Sequence, residues 1–291
     1  MVMITLEQIK AAKKYNKKKS GTLWNHSQLP LPLCDLVVDS DSFALFIAQD
    51  QCKYNKTIDG KLGPDTLGLY PEAALITQKW VYGIDVSRWQ GTINWHLVKQ
   101  DDIEFAIIKC AQGNSQSQNF VENAKTAEAV GLTLGYYAWP TPGTDGEWDV
   151  NDEIRAIKRI TDDMPDIHLP FAVDIEANKE GLSKEDYTKW MTEYCEALEG
   201  IFPTGVMLYT SKRNVDEFFT TDHTLGKYPL WCPRYGSNTG NIQDSIQPEI
   251  PHGWDNWIIW QYTSKAKVAG ITTNVDKNIA RYEWIYKYLK R

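Results

Sequence analysis

The 291-residue chain has little of what thiol or imidazole chemistry needs. Its five cysteines, Cys34, Cys52, Cys110, Cys195 and Cys232, are odd in number and widely spaced, with no CxxC pair. That argues against a disulfide scaffold or a structural zinc site, and for synthesis in a reducing compartment. The five histidines, His26, His96, His168, His223 and His252, form neither an HExxH motif nor a close pair, so no metal or cofactor is expected. No run of about 18 apolar residues is present to span a bilayer. The opening MVMITLEQIKAAKKYNKKK has too short an apolar stretch for a signal peptide, and its lysines follow that stretch instead of preceding it. A net charge of −7 disfavours a general nucleic-acid binder.

What the chain does have is aromatic surface. Twelve Trp, 15 Tyr and 8 Phe give a polar sequence far more buryable area than a disordered segment carries. Flat apolar rings with a polar tip also suit stacking on sugars, although most such rings in any protein serve the core. Charge is uneven. Residues 1–30 hold Lys10, Lys13, Lys14, Lys17, Lys18 and Lys19 against Glu7 alone, a balance of +5, which leaves −12 for the remainder. The basic arm reads first as a solvated helix face and second as a contact for an anionic envelope polymer.

The length fits one barrel-sized domain plus a small one, and the pattern changes near residue 79. Before it, helices are expected around Leu6–Tyr15 and Ser42–Tyr54, with a Pro-containing stretch, Leu29–Cys34, between them. After it, eight strands are expected: Tyr82–Val86, Phe105–Cys110, Leu132–Ala138, Phe171–Ile175, Gly205–Thr210, Pro229–Cys232, Trp257–Tyr262 and Thr273–Asp276. Helical patterns lie between the earlier ones, such as Tyr187, Trp190, Met191, Tyr194 and Leu198 between Ser183 and Gly200. The fold class is therefore α/β: an irregular (β/α)8-type, TIM-like barrel over 80–291 whose later crossovers lack clear helices, behind a mainly helical domain over 1–79.

The chemistry concentrates at strand ends. In LPFAVDIE, Leu169–Glu176, strand alternation points Asp174 and Glu176 to the same side, at the end where barrel enzymes place catalytic groups. Crowded carboxylates do not all ionise, and one that keeps its proton near neutral pH is what a glycosidase general acid needs. Alone, such a pair is as readily two solvated strand-end acids. The stretches GIDVSRWQG (Gly83–Gly91) and TNVDKN (Thr273–Asn278) repeat the scheme, so Asp85 and Asp276 are expected to join the pair at one barrel mouth.

Those stretches, with LYTS (Leu208–Ser211), PLWCPRY (Pro229–Tyr235) and IWQYTS (Ile259–Ser264), resemble the landmarks of glycoside hydrolase family 25, in order over Val81 to about Ala280. The resemblance implies a muramidase, cutting the β-1,4 bond between N-acetylmuramic acid and N-acetylglucosamine in bacterial peptidoglycan. It implies Glu176 as general acid, Asp174 as the partner of the substrate's 2-acetamido group, and Asp85 and Asp276 as supporting acids. Tyr137, Tyr209, Trp231, Tyr235 and Gln261 match substrate-contacting positions. Either substrate-assisted retention or water-mediated inversion fits these residues. There are departures: Ala111-Gln112-Gly113 stands where the family often has Glu before the Gly, and Gly135–Pro140 reads GYYAWP where a Tyr-His-Phe-like run is common. In front, DGKLGPDTL (Asp59–Leu67) resembles the central motif of the type 1 peptidoglycan-binding domain. The whole resembles a phage-type endolysin, expected to be a monomer made in a host cytoplasm and acting on the wall after release, without nucleic acid. A non-catalytic wall-binding protein or a hydrolase of another N-acetylglucosamine polymer such as chitin is the alternative.

Overall fold

The computed structural model describes residues 5–19, 40–53, 61, 80–143, 149–242, 245–285 and 288. The chain divides into two compact units, 1–79 and 80–291. In the first, α1 (Leu6–Lys19) and α2 (Asp41–Lys53) bury Ile9, Ala12, Phe43, Ala44, Ile47 and Ala48. Each helix extends close to its predicted span. The Leu29–Cys34 stretch and, apart from Lys61, the Asp59–Leu67 motif lie outside the described residues.

The second unit is a closed barrel. In order come β1 (Trp80–Val86), α3 (Trp95–Gln100), β2 (Phe105–Gln112), β3 (Ser115–Gln116), α4 (Phe120–Ala129), β4 (Thr133–Trp139) and α5 (Val150–Thr161). Then follow β5 (Phe171–Asp174), α6 (Lys184–Glu199), β6 (Val206–Tyr209), α7 (Lys212–Phe218), β7 (Leu230–Pro233), β8 (Ile259–Ala266), β9 (Val275–Arg281) and α8 (Tyr282–Ile285). All eight expected strands are present, and they pair in a ring, β1-β2-β4-β5-β6-β7-β8-β9, closed by β9 on β1; the two-residue β3 hangs on β2 as a hairpin.

The ring departs from a parallel barrel at one place. β9 runs antiparallel to both β8 and β1. The cause is the connection: residues 267–274 hold no helix, and a parallel return needs a crossover of about a dozen residues or more. The strand is also longer and later than predicted, since it pairs along both edges and its ladder continues to Arg281. Asp276 therefore stands near the start of its strand, not at the end as expected. Because that strand is reversed, its start lies on the same rim as the C-terminal ends of the parallel strands.

Two apolar layers hold the ring. Outside, α4, α5 and α6 press Phe120, Ile157, Met191 and Leu198 against strand residues such as Ile108 and Leu134. The helix α6 starts where Ser183 Oγ accepts the Asp186 N–H at 3.1 Å, and it buries Tyr187, Met191, Tyr194, Cys195 and Leu198 on one face. Inside, Val81, Phe105, Ile107, Ala172, Met207, Ile259 and Ala280 fill the barrel floor. Gly83 belongs to this floor: a Cβ there would lie 2.3 Å from the Phe105 ring, so the first landmark needs a residue without one. Each fully buried side chain of this size contributes roughly 1.5–3 kcal/mol.

Candidate active site

The rim above that floor is built by strand register. Asp85 on β1 faces Asp276 on β9 across an antiparallel pair, which sends both side chains to one face. Lys109 pairs with Tyr137, Asp174 with Tyr209, and Tyr209 with Trp231 along the parallel strands. The turn after β1 ties the two ends of the barrel together. Gln90 Oε1 accepts the Ser87 N–H at 2.8 Å, and Gln90 Nε2 donates to the Asn274 carbonyl at 3.2 Å, just ahead of β9. This capping box of Ser87 and Gln90 explains the SRWQG spelling of the turn.

Asp85, Asp174, Glu176, Asp276, Tyr137, Tyr209, Trp231, Tyr235 and Gln261 all line one pocket of about 250 Å³. These are the nine residues singled out from sequence. Ser87, Trp89, Lys109 and Trp139 complete the wall. Lys109 could have been found from alternation, since it stands two residues after the inward-facing Ile107 on β2. Asn278, two residues after Asp276, lies behind the pocket and was equally legible by that rule.

The four acids are held in different ways. Asp85 is 5% exposed, and its Oδ2 accepts from Gln261 Nε2 at 2.9 Å and from Asn278 Nδ2 at 2.8 Å. Both amides are fixed in turn. Trp231 Nε1 donates to Asn278 Oδ1 at 2.8 Å; Tyr209 donates its hydroxyl proton to Gln261 Oε1 at 2.7 Å, and Tyr235 donates to the same oxygen. Burial raises the Asp85 pKa to about 6, against the pull of the two amide donors and with a further push from Glu176. Gln261, expected as a substrate contact, is thus a hub that positions Asp85, and Trp231 supports it through Asn278.

Asp174 has no such support. It is 7% exposed, and its Oδ1 is buried without a hydrogen-bond partner. Burial, then the Glu176 charge, raises its pKa well above the usual carboxylate value, with Lys109 opposing. Asp276 is half-buried, and burial, Asp85 and Glu176 together push it up to about 8. Glu176 is the most open of the four, exposed at the rim, yet the surrounding walls withdraw enough water to raise its pKa; the polar Tyr209 hydroxyl and the Lys109 charge pull the other way. Lys109, itself partly desolvated, has its own pKa lowered despite the nearby Asp174 and Glu176. Burial keeps the phenols of Tyr137 and Tyr209 protonated.

The pocket therefore offers protonated carboxyls, an anchored carboxylate and aromatic walls, the equipment for acid-assisted cleavage of a bond between sugars. Among the described residues no three His, Cys, Asp or Glu are grouped to hold a metal ion. Cys110, Cys195 and Cys232 are buried free thiols whose pKa values burial raises, so they supply no nucleophile.

Lysozyme M1 of Streptomyces globisporus is 28% identical over 222 residues, spanning 68% of this chain and 67% of that protein. The crystal structure of a bacterial lysozyme from Streptomyces coelicolor shares the fold with a TM-score of 0.60 at 26% identity, over 69% of this chain and 92% of that one. The catalytic domain of an endolysin from a Listeria monocytogenes bacteriophage gives a TM-score of 0.59 at 24% identity, over 73% and 98% of the two chains, a likeness of fold. The pattern of the glycosyl hydrolases family 25 matches residues 84–271, well over half of the sequence, and the chain belongs to that family.

Proposed function

We propose that the barrel is a muramidase, hydrolysing the β-1,4 bond between N-acetylmuramic acid and N-acetylglucosamine in peptidoglycan, with Glu176 as the acid that protonates the leaving oxygen. The observation that carries the reading is the contrast within the pocket: Glu176 is accessible to substrate and has a raised pKa, while Asp174 behind it is buried with one unpartnered oxygen. Proton donation needs the first property, and an acetamido group of the sugar at the cleavage point would satisfy the second. Asp174 would then hold the 2-acetamido group as the acetamido oxygen attacks C1 and the glycosidic C1–O bond breaks; water would next attack C1, giving its proton back to Glu176 and restoring the acetamido group, with net retention. A raised pKa makes Asp174 a poor base for activating water, which disfavours the inverting route. Asp85, held by its two amide donors, supplies the negative field that stabilises the oxocarbenium-like transition state, with Asp276 as its neighbour across the strand pair.

Residues 1–79 are read as a wall-holding unit on the Asp59–Leu67 motif alone, and the protein as a phage-type endolysin that reaches the wall once the membrane has been opened by another agent. No described helix is long and apolar enough to cross a membrane.

The test is Glu176→Gln, which removes a proton and little volume. It should lower lysis of peptidoglycan by about 10²–10⁴ with unchanged thermal unfolding. Mass spectrometry of wild-type digests should show new reducing muramic acid ends, and NMR should show the β-anomer first. Near-normal clearance by the variant overturns the role of Glu176; new amino termini overturn the muramidase reading. Pelleted with sacculi, the inactive chain should be retained better than the same chain lacking residues 1–79.

A further inference from the structure

Beside the acid pocket lies a second cavity of about 550 Å³. Four residues, Ser87, Trp89, Lys109 and Trp139, line both, so the two form one continuous trough. The two halves carry opposite charge. The acid pocket gathers four carboxylates, whereas the second cavity presents Arg88, Lys109 and Lys179 against Glu180 alone. Its cations stand over aromatic faces: the Arg88 guanidinium is 4.7 Å from the Trp89 ring centre, and the Lys109 and Lys179 ammonium groups are 5.1 and 5.7 Å from that of Trp139. Trp89 is 71% exposed, an unusual cost for a large apolar ring unless something covers it.

The wall of this cavity is braced. Glu153, fully buried on α5, accepts the Thr141 N–H at 2.9 Å and the Thr141 hydroxyl at 2.7 Å through one oxygen. Gly113 lets that hydroxyl approach, since a Cβ there would lie 2.5 Å from Thr141 Oγ1. The stretch that carries Trp139 is thereby fixed without any ligand.

We propose that this second cavity binds carboxylates of the peptide carried on the lactyl group of muramic acid, so that the trough reads a neutral sugar at the acids and an anionic appendage next to it. The inference rests on the muramidase reading. A sugar placed with its C1 at Glu176 must send its O3 lactyl group, and the peptide attached to it, out of the pocket within the width of one ring. The adjoining cavity shares four wall residues with the acid pocket, and its cations and indole faces suit carboxylates on a chain of methyl and methylene groups. A neutral chitin strand has no group to place there.

The test uses the full-length protein on glycan strands bearing their peptides, before and after the carboxylates are capped as methylamides with carbodiimide and methylamine. Wild type should show a KM about two- to fivefold lower on native than on capped strands, the range of a solvated ion pair, and the difference should shrink as salt is raised. Lys179→Glu should abolish or invert the preference, and Lys179→Arg should restore it. Equal KM on the two strands, or a preference that survives Lys179→Glu and Arg88→Glu together, overturns the proposal while leaving the muramidase reading intact. Cleavage of neither strand by wild type sinks both.

Discussion

Asp85 and Asp174 are both buried on the barrel rim, and both have raised pKa values, yet their surroundings differ. Asp85 is gripped by two amide donors, each fixed by an indole or phenol, and its pKa stops at about 6. Asp174 has an oxygen with no donor, and burial, then the Glu176 charge, raise its pKa well above the ordinary carboxylate value. Donors aimed at a carboxylate favour its charged form; their absence favours the proton. One rim thus keeps a negative charge and a neutral acid side by side, and the difference is set by neighbours one and two strands away.

The sharpest way to break this comparison is Asp174→Asn. The side chain keeps its shape, loses its acid, and should cost about 10²–10³ in kcat with a melting temperature at or above wild type. If activity survives, the unpartnered oxygen serves no substrate. A smaller effect is expected from Gln261→Met. It strips Asp85 of one donor and leaves the Tyr209 and Tyr235 hydroxyls without their acceptor, which should cost about 1–3 kcal/mol of stability. It should also move the acidic limb of the kcat/KM profile to higher pH, because Asp85 loses part of what holds its pKa down; an unshifted limb would mean that Asp85 is not the group titrating there. The smallest effect is on stability alone. Asp85 and Asp276 have folded pKa values of about 6 and about 8, above the ordinary 3.8. The folded state therefore binds protons more tightly than the unfolded chain, a stabilisation fully present below pH 4 and lost as pH rises to 8. Melting temperature should fall by a few degrees between pH 5 and pH 8, and Asp276→Asn should flatten the upper half of that slope. A melting temperature that rises over the interval would contradict the burial of these acids.

Much of the rim was legible because β-strands expose their chemistry with period two. Asp174 and Glu176 declare themselves in VDIE, and Asp85 and Asp276 join them as further strand-end acids, whereas Tyr137, Tyr209, Trp231, Tyr235 and Gln261 followed only from the resemblance to family 25. Lys109 was passed over because a lysine in an apolar strand carries no motif, although its spacing from Ile107 gave its direction. Three things were beyond a linear reading. The direction of β9 depends on a connection too short for a helix, so Asp276 was placed at the wrong end of its strand. The positioning role of Gln261 was invisible, since only three-dimensional proximity reveals that its amide is engaged by Asp85 and two phenols. The second cavity was unreadable for the same reason: Arg88 follows β1, Lys109 lies on β2 and Lys179 follows β5, and they share no local pattern.

The reversed strand has a consequence for how the enzyme comes into being. β9 is the last strand in chain order, yet it seals the seam between the first strand and the eighth, and it brings Asp276 and Asn278 to Asp85. Until that segment has emerged and docked, the sheet is an open ribbon with two unpaired edges and one of its acids lacks a ligand. A ribosome-bound fragment ending before residue 275 is thus held inert by incompleteness, and its bare edges make it a substrate for chaperones and a seed for aggregation.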